Sequence, residues 1–450
     1  MIKRIKINKG LDIPIQGVSE KVVENIDEIC KYAIKPTDFF ELIPKLLVQE
    51  GDKVKAGTPL FYDKKNEKIK ITSPISGTIE LIKRGDRRLL EEIIIIPDKE
   101  IEYEFFAIEN ISEINRLNII NKLLDSGLWA TIRQRPYNII ANPLDIPKAI
   151  FISGFDSSPL APDYDLIIHG QGINFQAGLD VLKKLTDGVI HLSIKEEEGT
   201  SKVFLNSKNI QINYIYGPHP AGNIGTQIHH IDPINKGEIV WHINPQDIVS
   251  IGKLFTEGIY DSTKIIALTG PEVITPKYYR IKNGASISSI VKNKISDKKL
   301  RIISGNVLNG DKVENDGFIG FYHSQITVIE EGNEPEFLGW ALPGLNKHSF
   351  SRTFLSKLFP FLEYKFNCNY HGGERAFVVT GEFEKVFPMD IYPVYLLKSI
   401  LAKDIEQMEN LGIYEVADED FGLCDYVCTS KIETQEIVRE GLRLMIKEMS

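Results

Sequence analysis

The residues best suited to chemistry are gathered between Tyr216 and Asn244, where glycine, proline and histidine alternate. Glycine has no Cβ, so backbone amides beside it can approach a ligand or a neighbouring surface closely. Imidazole groups bind metals and form hydrogen bonds with polar ligands. We therefore expect an exposed, shaped loop that serves as a ligand or docking surface. Its candidate contact residues are His219, Gly222, Gly225, Thr226 and His229.

A metal site in this stretch is the less favoured interpretation. Zinc and non-haem iron need three or four ligands at defined spacings. His229 and His230 are adjacent, and in a strand they would point to opposite faces. Buried histidines that are hydrogen-bonded to the backbone account for the same residues, so no metal ligand is predicted here.

The cysteines offer a second possible site. Cys424 and Cys428 have C-x₃-C spacing, and Cys368 is distant along the chain. A tetranuclear iron–sulfur cluster needs four thiolates. Two buried free thiols on a helix are therefore predicted, with a metal shared between neighbouring proteins as the alternative.

A lysine that carries a cofactor is the third possibility. Val48–Glu80 reads as short alternating runs separated by glycine and proline turns, which predicts β-hairpins. The order resembles the barrel-sandwich fold of biotinyl and lipoyl carrier domains over about residues 36–97. A carrier needs one lysine at a hairpin tip, but Lys64, Lys65, Lys68 and Lys70 compete there. The module is predicted to be a scaffold, and the carrier function stays an alternative.

A parallel layer follows in the chain. Ala149–Gly154 is an apolar strand, Phe175–Leu185 has helical spacing, and Gly188–Ile194 is again a strand. Such alternation predicts a parallel α/β layer with ligand space beyond the carboxyl ends of the strands. The layer is a degenerate Rossmann type, because no Gly-x-Gly-x-x-Gly or Walker A sequence follows a strand.

The rest of the chain completes an α/β and α+β multidomain protein. Short β-type runs between residues 258 and 320 predict a small β-grasp-like sheet, and helical spacing beyond Arg375 predicts a helical tail. The predicted domains are an N-terminal segment with the barrel-sandwich module (1–100), the Rossmann-like domain (101–257), the β-grasp domain (258–330) and a mainly helical C-terminal domain (331–450).

Composition narrows the possible partners. A net charge of −9 would repel a phosphate backbone, so no nucleic acid partner is expected. The longest apolar runs, Ile93–Ile96 and Ile391–Leu397, fall far short of the roughly 20 residues that a membrane helix needs. Only four cysteines occur and no export signal is evident, which favours the cytoplasm.

Several stretches carry a family resemblance that extends over essentially the whole chain. Lys9–Gly17, Gly217–Gly222, Val240–Asn244 and Ile251–Phe255 resemble, in this order, sequences of the A subunit of the sodium-translocating NADH:quinone reductase. The family architecture implies a carrier-like β-module, a Rossmann-like layer, a soluble-ligand-binding β-grasp module and a helical C-terminus. These are the elements predicted above.

The resemblance also bears on cofactors. The family is similar to the C subunit of the Rnf complex and to the flavoprotein subunit of complex I, which hold FMN with a glycine-rich loop before the first Rossmann strand. Here that place is Asp125–Pro136, where Trp129, Arg133 and Arg135 occupy the space that glycines would leave to the flavin. We expect no flavin and no iron–sulfur centre in this chain.

The resemblance implies a role within a larger enzyme. The complex uses NADH, flavins, iron–sulfur centres, ubiquinone and Na⁺, and a different subunit oxidises NADH. This chain is expected to lie peripherally on the cytoplasmic face of the membrane, to bind membrane subunits and to support assembly and quinone reduction, with no catalytic residue of its own. Trp129, Arg133 and Arg135 join the loop residues as candidate contacts with quinone or with other subunits. The alternative is a stand-alone flavin or nicotinamide oxidoreductase.

Overall fold

Short β-type runs and longer helical runs alternate as the sequence predicts. The computed structural model describes residues 3–26, 28–195, 199–332, 336–339, 342–369 and 371–449. The strands in these ranges are β1 (Lys3–Lys6), β2 (Glu20–Asn25), β3 (Tyr32–Ile34), β4 (Pro44–Leu46), β5 (Lys53–Val54), β6 (Pro59–Asp63), β7 (Asn66–Thr72), β8 (Gly77–Arg84), β9 (Leu90–Pro97), β10 (Arg133–Arg135), β11 (Ile139–Ile140), β12 (Ala149–Ser153), β13 (Val189–Ile194), β14 (Gln211–Tyr216), β15 (Val240–His242), β16 (Thr263–Thr269), β17 (Lys277–Lys282), β18 (Leu300–Ser304), β19 (Asp311–Val313) and β20 (Gln325–Glu330).

The α-helices of the same ranges lie mostly in the second domain and near the C-terminus. They are α1 (Arg116–Asp125), α2 (Tyr164–Ile167), α3 (Gly172–Lys183), α4 (Lys202–Leu205), α5 (Ile224–Ile231), α6 (Pro245–Thr256), α7 (Ile287–Val291), α8 (Phe383–Val386), α9 (Pro393–Ala402), α10 (Ile405–Asn410), α11 (Gly422–Val427) and α12 (Thr434–Met449).

The N-terminal module is a barrel sandwich. A four-stranded sheet of order β3-β9-β8-β5 and a three-stranded sheet of order β4-β6-β7 form its two layers. Phe61, Ile71 and Ile93 are buried in its core, which continues without a break into the six-stranded sheet that follows later in the chain. That sheet has the order β19-β18-β20-β16-β17-β2 and contributes Ile266 and Val328 to the same core.

The second domain is built on a mixed seven-stranded sheet of order β1-β14-β13-β12-β15-β10-β11. Its strands β14, β13, β12 and β15 are parallel, and β10 pairs antiparallel with β15. Alternate residues of β12 face opposite sides, as the period of a strand requires. Ile150 and Ile152 join the core under α3 and α6, whereas Phe151 joins the core under α5. Helices therefore cover both faces, as expected for a Rossmann-like layer.

The C-terminal helices form a core of their own. Val438, Leu442 and Met445 recur at helical spacing along α12, and all three are buried. Helices α8 to α12 lie between Phe383 and Met449, whereas residues 342–369 have one short 3₁₀ turn, Leu355–Leu358. The architecture confirms the predicted fold class, including the helical C-terminus. No helix in the described ranges is long and apolar enough to cross a membrane.

The first two strands do not stay with the barrel sandwich, although the predicted 1–100 domain includes them. Strand β1 pairs in parallel with β14 of the seven-stranded sheet, and β2 pairs in parallel with β17 of the six-stranded sheet. Both strands fill free edges of sheets that form later in the chain, and closing an edge satisfies its backbone hydrogen-bonding groups. Local sequence patterns do not reveal such distant pairings.

Candidate functional site: the central cleft

A cleft of about 1300 Å³ lies where the domains meet. Its position follows from the order of the strands. The chain runs from β12 through β13 to β14 on one side of the sheet, and then returns to place β15 on the other side of β12. Open parallel sheets bind ligands beyond the carboxyl ends of the strands at such a reversal. Ser153 at the end of β12 and His242 at the end of β15 both line this cleft.

The polar groups at this reversal point are largely buried and tied to one another. Nε2 of His242 lies 3.0 Å from Oδ1 of Asn138. Burial holds the pKa of His242 well below its ordinary value, with Arg133 and Arg135 adding to the effect, so the ring is neutral at pH 7. The side-chain amide of Asn244 donates to the Tyr164 hydroxyl at 2.6 Å, and burial raises the pKa of Tyr164 to about 12.

Asp156 lies just beyond β12 in the same cleft. Its Oδ1 accepts a hydrogen bond of 2.7 Å from the backbone N–H of Ser158. Burial raises the pKa of this carboxyl group, which opposes its ionisation. The floor of the cleft near the sheet therefore combines the neutral imidazole of His242 with the hydrogen-bonding groups of Asn244, Tyr164 and Asp156.

Arg133 supplies a positive charge on the cleft wall. It lies on β10, and its guanidinium carbon is 4.6 Å from the centroid of the Tyr322 ring. Tyr322 is fixed in turn by a 2.7 Å hydrogen bond from its hydroxyl to the carbonyl of Ala130. Arg133 forms no ion pair with any residue in the described ranges, so its N–H groups can donate to a ligand in the cleft.

The six-stranded sheet and the barrel sandwich complete the wall. Ser304 lies 2.8 Å from Nδ1 of His323, and burial lowers the pKa of His323 to about 4. Asp38 accepts a 2.8 Å hydrogen bond from the backbone N–H of Phe321 and pairs with Lys35 at 3.2 Å. The cleft can therefore bind a molecule that offers oxygen acceptors to Arg133 and a flat surface to the aromatic side chains of the lining, among them Tyr137, Tyr164 and Tyr322, here called the aromatic wall.

Arg135 lies two residues beyond Arg133 on the same strand but is fully buried in an interdomain cluster with Glu419 and Asp420. Its guanidinium donates to Glu419 at 2.6 Å and to Asp420 at 3.1 Å. A Cβ built on Gly225 would come within 2.5 Å of both carboxylate oxygens of Asp420. Only glycine therefore allows the start of α5 to pack so closely on this cluster.

The structure corrects the predicted conformation of the stretch between Tyr216 and Asn244. Its centre is the helix α5, not an exposed loop or a strand. Ile224, Ile228 and Ile231 recur at helical spacing, and the latter two are buried in the core beneath the helix. That spacing was the signal in the sequence which the glycines and histidines obscured.

The histidines of α5 hold the helix to the C-terminal domain. Nδ1 of His229 lies 2.7 Å from Glu415, and its Nε2 accepts a 3.0 Å hydrogen bond from the backbone N–H of Asp390. Nε2 of His230 lies 3.1 Å from the carbonyl oxygen of Pro388. In the described ranges, no group of three or more His, Cys, Asp or Glu residues is placed to hold a metal ion.

The remaining candidate residues are divided between core and cleft. Trp129 is fully buried, donates to the carbonyl of Ala141 at 2.7 Å and packs edge-to-face on Trp241. His219 and Thr226 are each 1% exposed. Only Arg133 and Gly222 of the eight candidates line the cleft. Sequence reasoning missed Asp156, Tyr164, Asn244 and Tyr322. The signal that could have found Asp156 was the expected ligand space beyond the carboxyl end of β12.

The structure also locates the two places that the sequence offered for a cofactor, the pair of cysteines near the C-terminus and the lysine-rich hairpin. Cys424 and Cys428 are buried among the C-terminal helices, and burial raises the pKa of Cys424 well above its ordinary value. The hairpin of β6 and β7 is docked on the second domain. Thr72 donates to the carbonyl of Ser126 at 2.9 Å, and Lys70 pairs with Asp125 at 2.7 Å.

The fold and cleft define a class of protein: a multidomain α/β protein that combines a barrel sandwich, a Rossmann-like layer and a β-grasp-like sheet around a shared cleft. Three family models match in the same order. They are described as the NqrA N-terminal barrel-sandwich hybrid domain (5–98), the NqrA second alpha/beta domain (114–260) and the NQRA C-terminal domain (265–315).

Full-length relatives agree with these models. The A subunits of the Na(+)-translocating NADH-quinone reductase from Yersinia pseudotuberculosis, Pasteurella multocida and Vibrio anguillarum are 40%, 38% and 36% identical to this chain. Each match covers 99% of this chain and 100% of the relative. This chain belongs to the NqrA family, the A subunits of the Na(+)-translocating NADH-quinone reductase.

Solved structures give a weaker likeness. A chain described as NAD+-reducing [NiFe]-hydrogenase in the H2-reduced state matches with a TM-score of 0.40 at 11% identity, over 74% of this chain and 61% of that chain. A likeness of this size carries no argument about function.

Proposed function

We propose that this chain is a peripheral subunit, on the cytoplasmic face of the membrane, of a Na⁺-pumping NADH:ubiquinone reductase. It supports assembly with the membrane subunits, and its central cleft receives the quinone headgroup. It holds no flavin or iron–sulfur centre of its own. The names of the relatives support the enzyme complex, and the observation that carries the cleft assignment is Arg133, stacked on Tyr322 at the point where the strand order reverses.

The quinone assignment rests on the chemistry of the headgroup. A quinone is flat and offers carbonyl oxygens that accept hydrogen bonds but carries no charge. Arg133 can donate to such an oxygen, and the aromatic wall can pack against the ring. Nearby His242 is neutral and so adds no positive charge beside an uncharged ligand at the sheet end of the cleft.

The absence of a flavin is proposed from the segment between α1 and β10. Leu128, Trp129 and Ala130 are buried at 2% exposure or less, and the hairpin of β6 and β7 packs against the same segment. Protein side chains thus fill the place where the related flavoproteins have a glycine-rich loop. The stand-alone oxidoreductase has no comparable support. The docked hairpin is likewise unsuited to a carrier, whose lysine must move between active sites.

Quinone binding can be tested by titrating a short-chain ubiquinone into the purified chain and following tryptophan fluorescence. Loss of a hydrogen bond from a charged donor costs about 1.5–3 kcal/mol, so Arg133→Ala should weaken binding about 10- to 100-fold, and Arg133→Lys should restore part of it. Arg280→Ala, at a position outside the cleft, is the matched control. Equal affinities of the parent and Arg133→Ala would show that quinone does not contact this residue.

The cofactor proposal is tested by the visible spectrum and the iron content of the purified chain. We expect a colourless protein without stoichiometric iron or sulfide. Flavin absorption at one equivalent per chain would overturn the interpretation of the Leu128–Thr131 segment, and a stoichiometric cluster would overturn that of Cys424 and Cys428.

A further inference from the structure

A run of exposed apolar side chains follows the six-stranded sheet in the chain, and none of its residues lines the cleft. It is formed by residues 342–361, called here the apolar segment. Leu358, Phe359 and Phe361 are exposed by 65%, 56% and 96%. The other large apolar side chains exposed in this segment are Leu342, Leu345 and Leu355. Exposed apolar side chains at this density along the chain are typical of an interaction site.

The exposure does not reflect a lack of local structure. The backbone N–H of Leu355 donates to the carbonyl of Pro343 at 2.9 Å, which holds the start of the segment against its later part. Ser356 also donates to the carbonyl of Lys347. Beyond the segment, the N–H of Tyr364 donates to the carbonyl of Pro14 at 2.8 Å and ties the chain to the N-terminal region. The backbone is therefore held in place while these apolar side chains face solvent.

Basic residues are interleaved with the apolar ones. Between residues 342 and 365 the sequence has four basic side chains and one acidic side chain, in a chain whose net charge is −9. Arg352, Lys357 and Lys365 are exposed, and none of them forms an ion pair with a residue in the described ranges. Because Lys347 pairs with Glu336, the positive charge of the apolar segment that is unpaired among the described residues comes from Arg352 and Lys357, and Lys365 follows shortly after the segment.

This combination distinguishes a lipid surface from a protein partner. The cores of protein interfaces are depleted in lysine, yet Lys357 lies directly beside Leu358 and Phe359 in the sequence. At a membrane surface the same arrangement is favourable, because phenylalanine and leucine enter the boundary of the acyl chains while lysine and arginine reach the anionic headgroups. We propose that the apolar segment inserts into the headgroup region of an anionic lipid bilayer and holds this face of the chain against the membrane.

The proposal rests on the peripheral placement proposed above but does not depend on quinone binding. It is tested by floating the purified full-length chain with vesicles of phosphatidylcholine, with and without phosphatidylglycerol. We expect the chain to float with the vesicles that contain phosphatidylglycerol, to bind pure phosphatidylcholine much more weakly and to be released by added salt, which screens the basic side chains.

Variants separate the apolar from the electrostatic contribution. Phe359→Ser and Phe361→Ser should each weaken vesicle binding at least about tenfold, because each removes a large apolar side chain from the bilayer. The double variant Arg352→Ser/Lys357→Ser should weaken binding to anionic vesicles roughly 30-fold, at a loss of about fivefold for each charge. Phe105→Ser, at a position that is 82% exposed outside the segment, and Lys53→Ser/Lys68→Ser are the matched controls and should bind like the parent.

Several outcomes would overturn the proposal. One is a parent that floats with neither kind of vesicle, and another is a set of segment variants that float as well as their controls. If the segment variants instead lose the membrane subunits on copurification while the parent ignores vesicles, the segment is a protein interface. A parent that binds quinone but not vesicles would remove this proposal and leave the proposed function intact. Unchanged melting temperatures must accompany the comparisons, and a variant that melts early is replaced by the Leu358→Ser variant.

Discussion

Arg133 and Arg135 stand two residues apart on strand β10, but one faces an open cleft and the other is sealed between domains. Arg133 stacks on Tyr322 and forms no ion pair with a described residue, whereas Arg135 is 0% exposed and pairs with both Glu419 and Asp420. The same residue type thus has two environments, because different parts of the chain face the two ends of one short strand. Residue type alone does not separate an arginine on a cleft wall from one in a contact between domains.

Gly222 and Gly225 show the same contrast between the cleft and the contact between domains. A Cβ on Gly225 would meet the carboxylate of Asp420 at 2.5 Å, and a Cβ on Gly222 would meet the backbone nitrogen of Ser157 at the same distance. Gly225 lies on the packed side, while Gly222 forms the border of the cleft. The density of glycine in this stretch therefore reflects close packing of the backbone, within the domain at Gly222 and between domains at Gly225, at least as much as access for a ligand.

The largest expected effect concerns the interdomain cluster. Arg135→Ala leaves Glu419 and Asp420 without their cation, and removing one partner of a buried pair costs about 3–5 kcal/mol. Urea unfolding followed by tryptophan fluorescence measures this loss. Arg133→Ala is the control from the cleft and should cost no more than about 1 kcal/mol, the value of a cation–π contact. If the two variants lose similar free energies of unfolding, Arg135 contributes no more to stability than Arg133 does, and the contrast between the two ends of β10 fails.

A somewhat smaller effect is expected from the protonation of His219, which is buried three residues before Gly222 and makes the free energy of unfolding depend on pH. Burial lowers the pKa of His219 to about 4, whereas an unfolded histidine titrates near 6.5. The unfolded state therefore binds the proton first, so the parent keeps its full stability above about pH 6.5 and loses it as the pH falls toward 4. His219→Gln removes this contribution. The stability gap between parent and variant should narrow by up to about 3 kcal/mol over that window.

The measurement is a series of urea unfolding curves of both proteins between neutral pH and pH 4. Because other groups titrate equally in parent and variant, only the difference between the two curves reports on His219. If the difference in free energy of unfolding between parent and variant stays constant between pH 6.5 and pH 4, water reaches the His219 side chain. The region around His219 would then be as open as the cleft.

The smallest effect is expected at the border between the two regions. Gly222→Ala places a methyl group against the backbone of Ser157, and overpacking of this kind costs about 1–3 kcal/mol. Gly172→Ala is the matched control, since the nearest atom to its Cβ, a methyl carbon of Val203, lies at an ordinary van der Waals distance of 3.8 Å. Thermal unfolding compares the two. If Gly222→Ala and Gly172→Ala have the same melting temperature, the loop after β12 moves to admit the methyl group. Gly222 would then not be part of the closely packed region.

Much of the architecture could be predicted because its causes are local. Glycine and proline turns between short alternating runs predicted the barrel sandwich, and the apolar strand Ala149–Gly154 predicted the parallel layer. The helix α5 was missed because its histidines and glycines suggested chemistry, although Ile224, Ile228 and Ile231 carried helical spacing. Its glycines and histidines contact Asp420, Glu415 and Asp390, about 160 to 200 residues away in the sequence, which no local pattern could reveal.

The sequence by itself determined the family and the fold class, because both depend on residue types in a fixed order along the chain. Only the tertiary structure decided which candidate residues share a site. The cleft is formed where β12 and β15 become neighbours and where Tyr322 and Glu419 approach from other domains. Such contacts depend on the order of strands in a sheet and on which edges the remaining domains cover. These are properties of the folded chain, since loop closure can bring together segments at almost any separation in sequence.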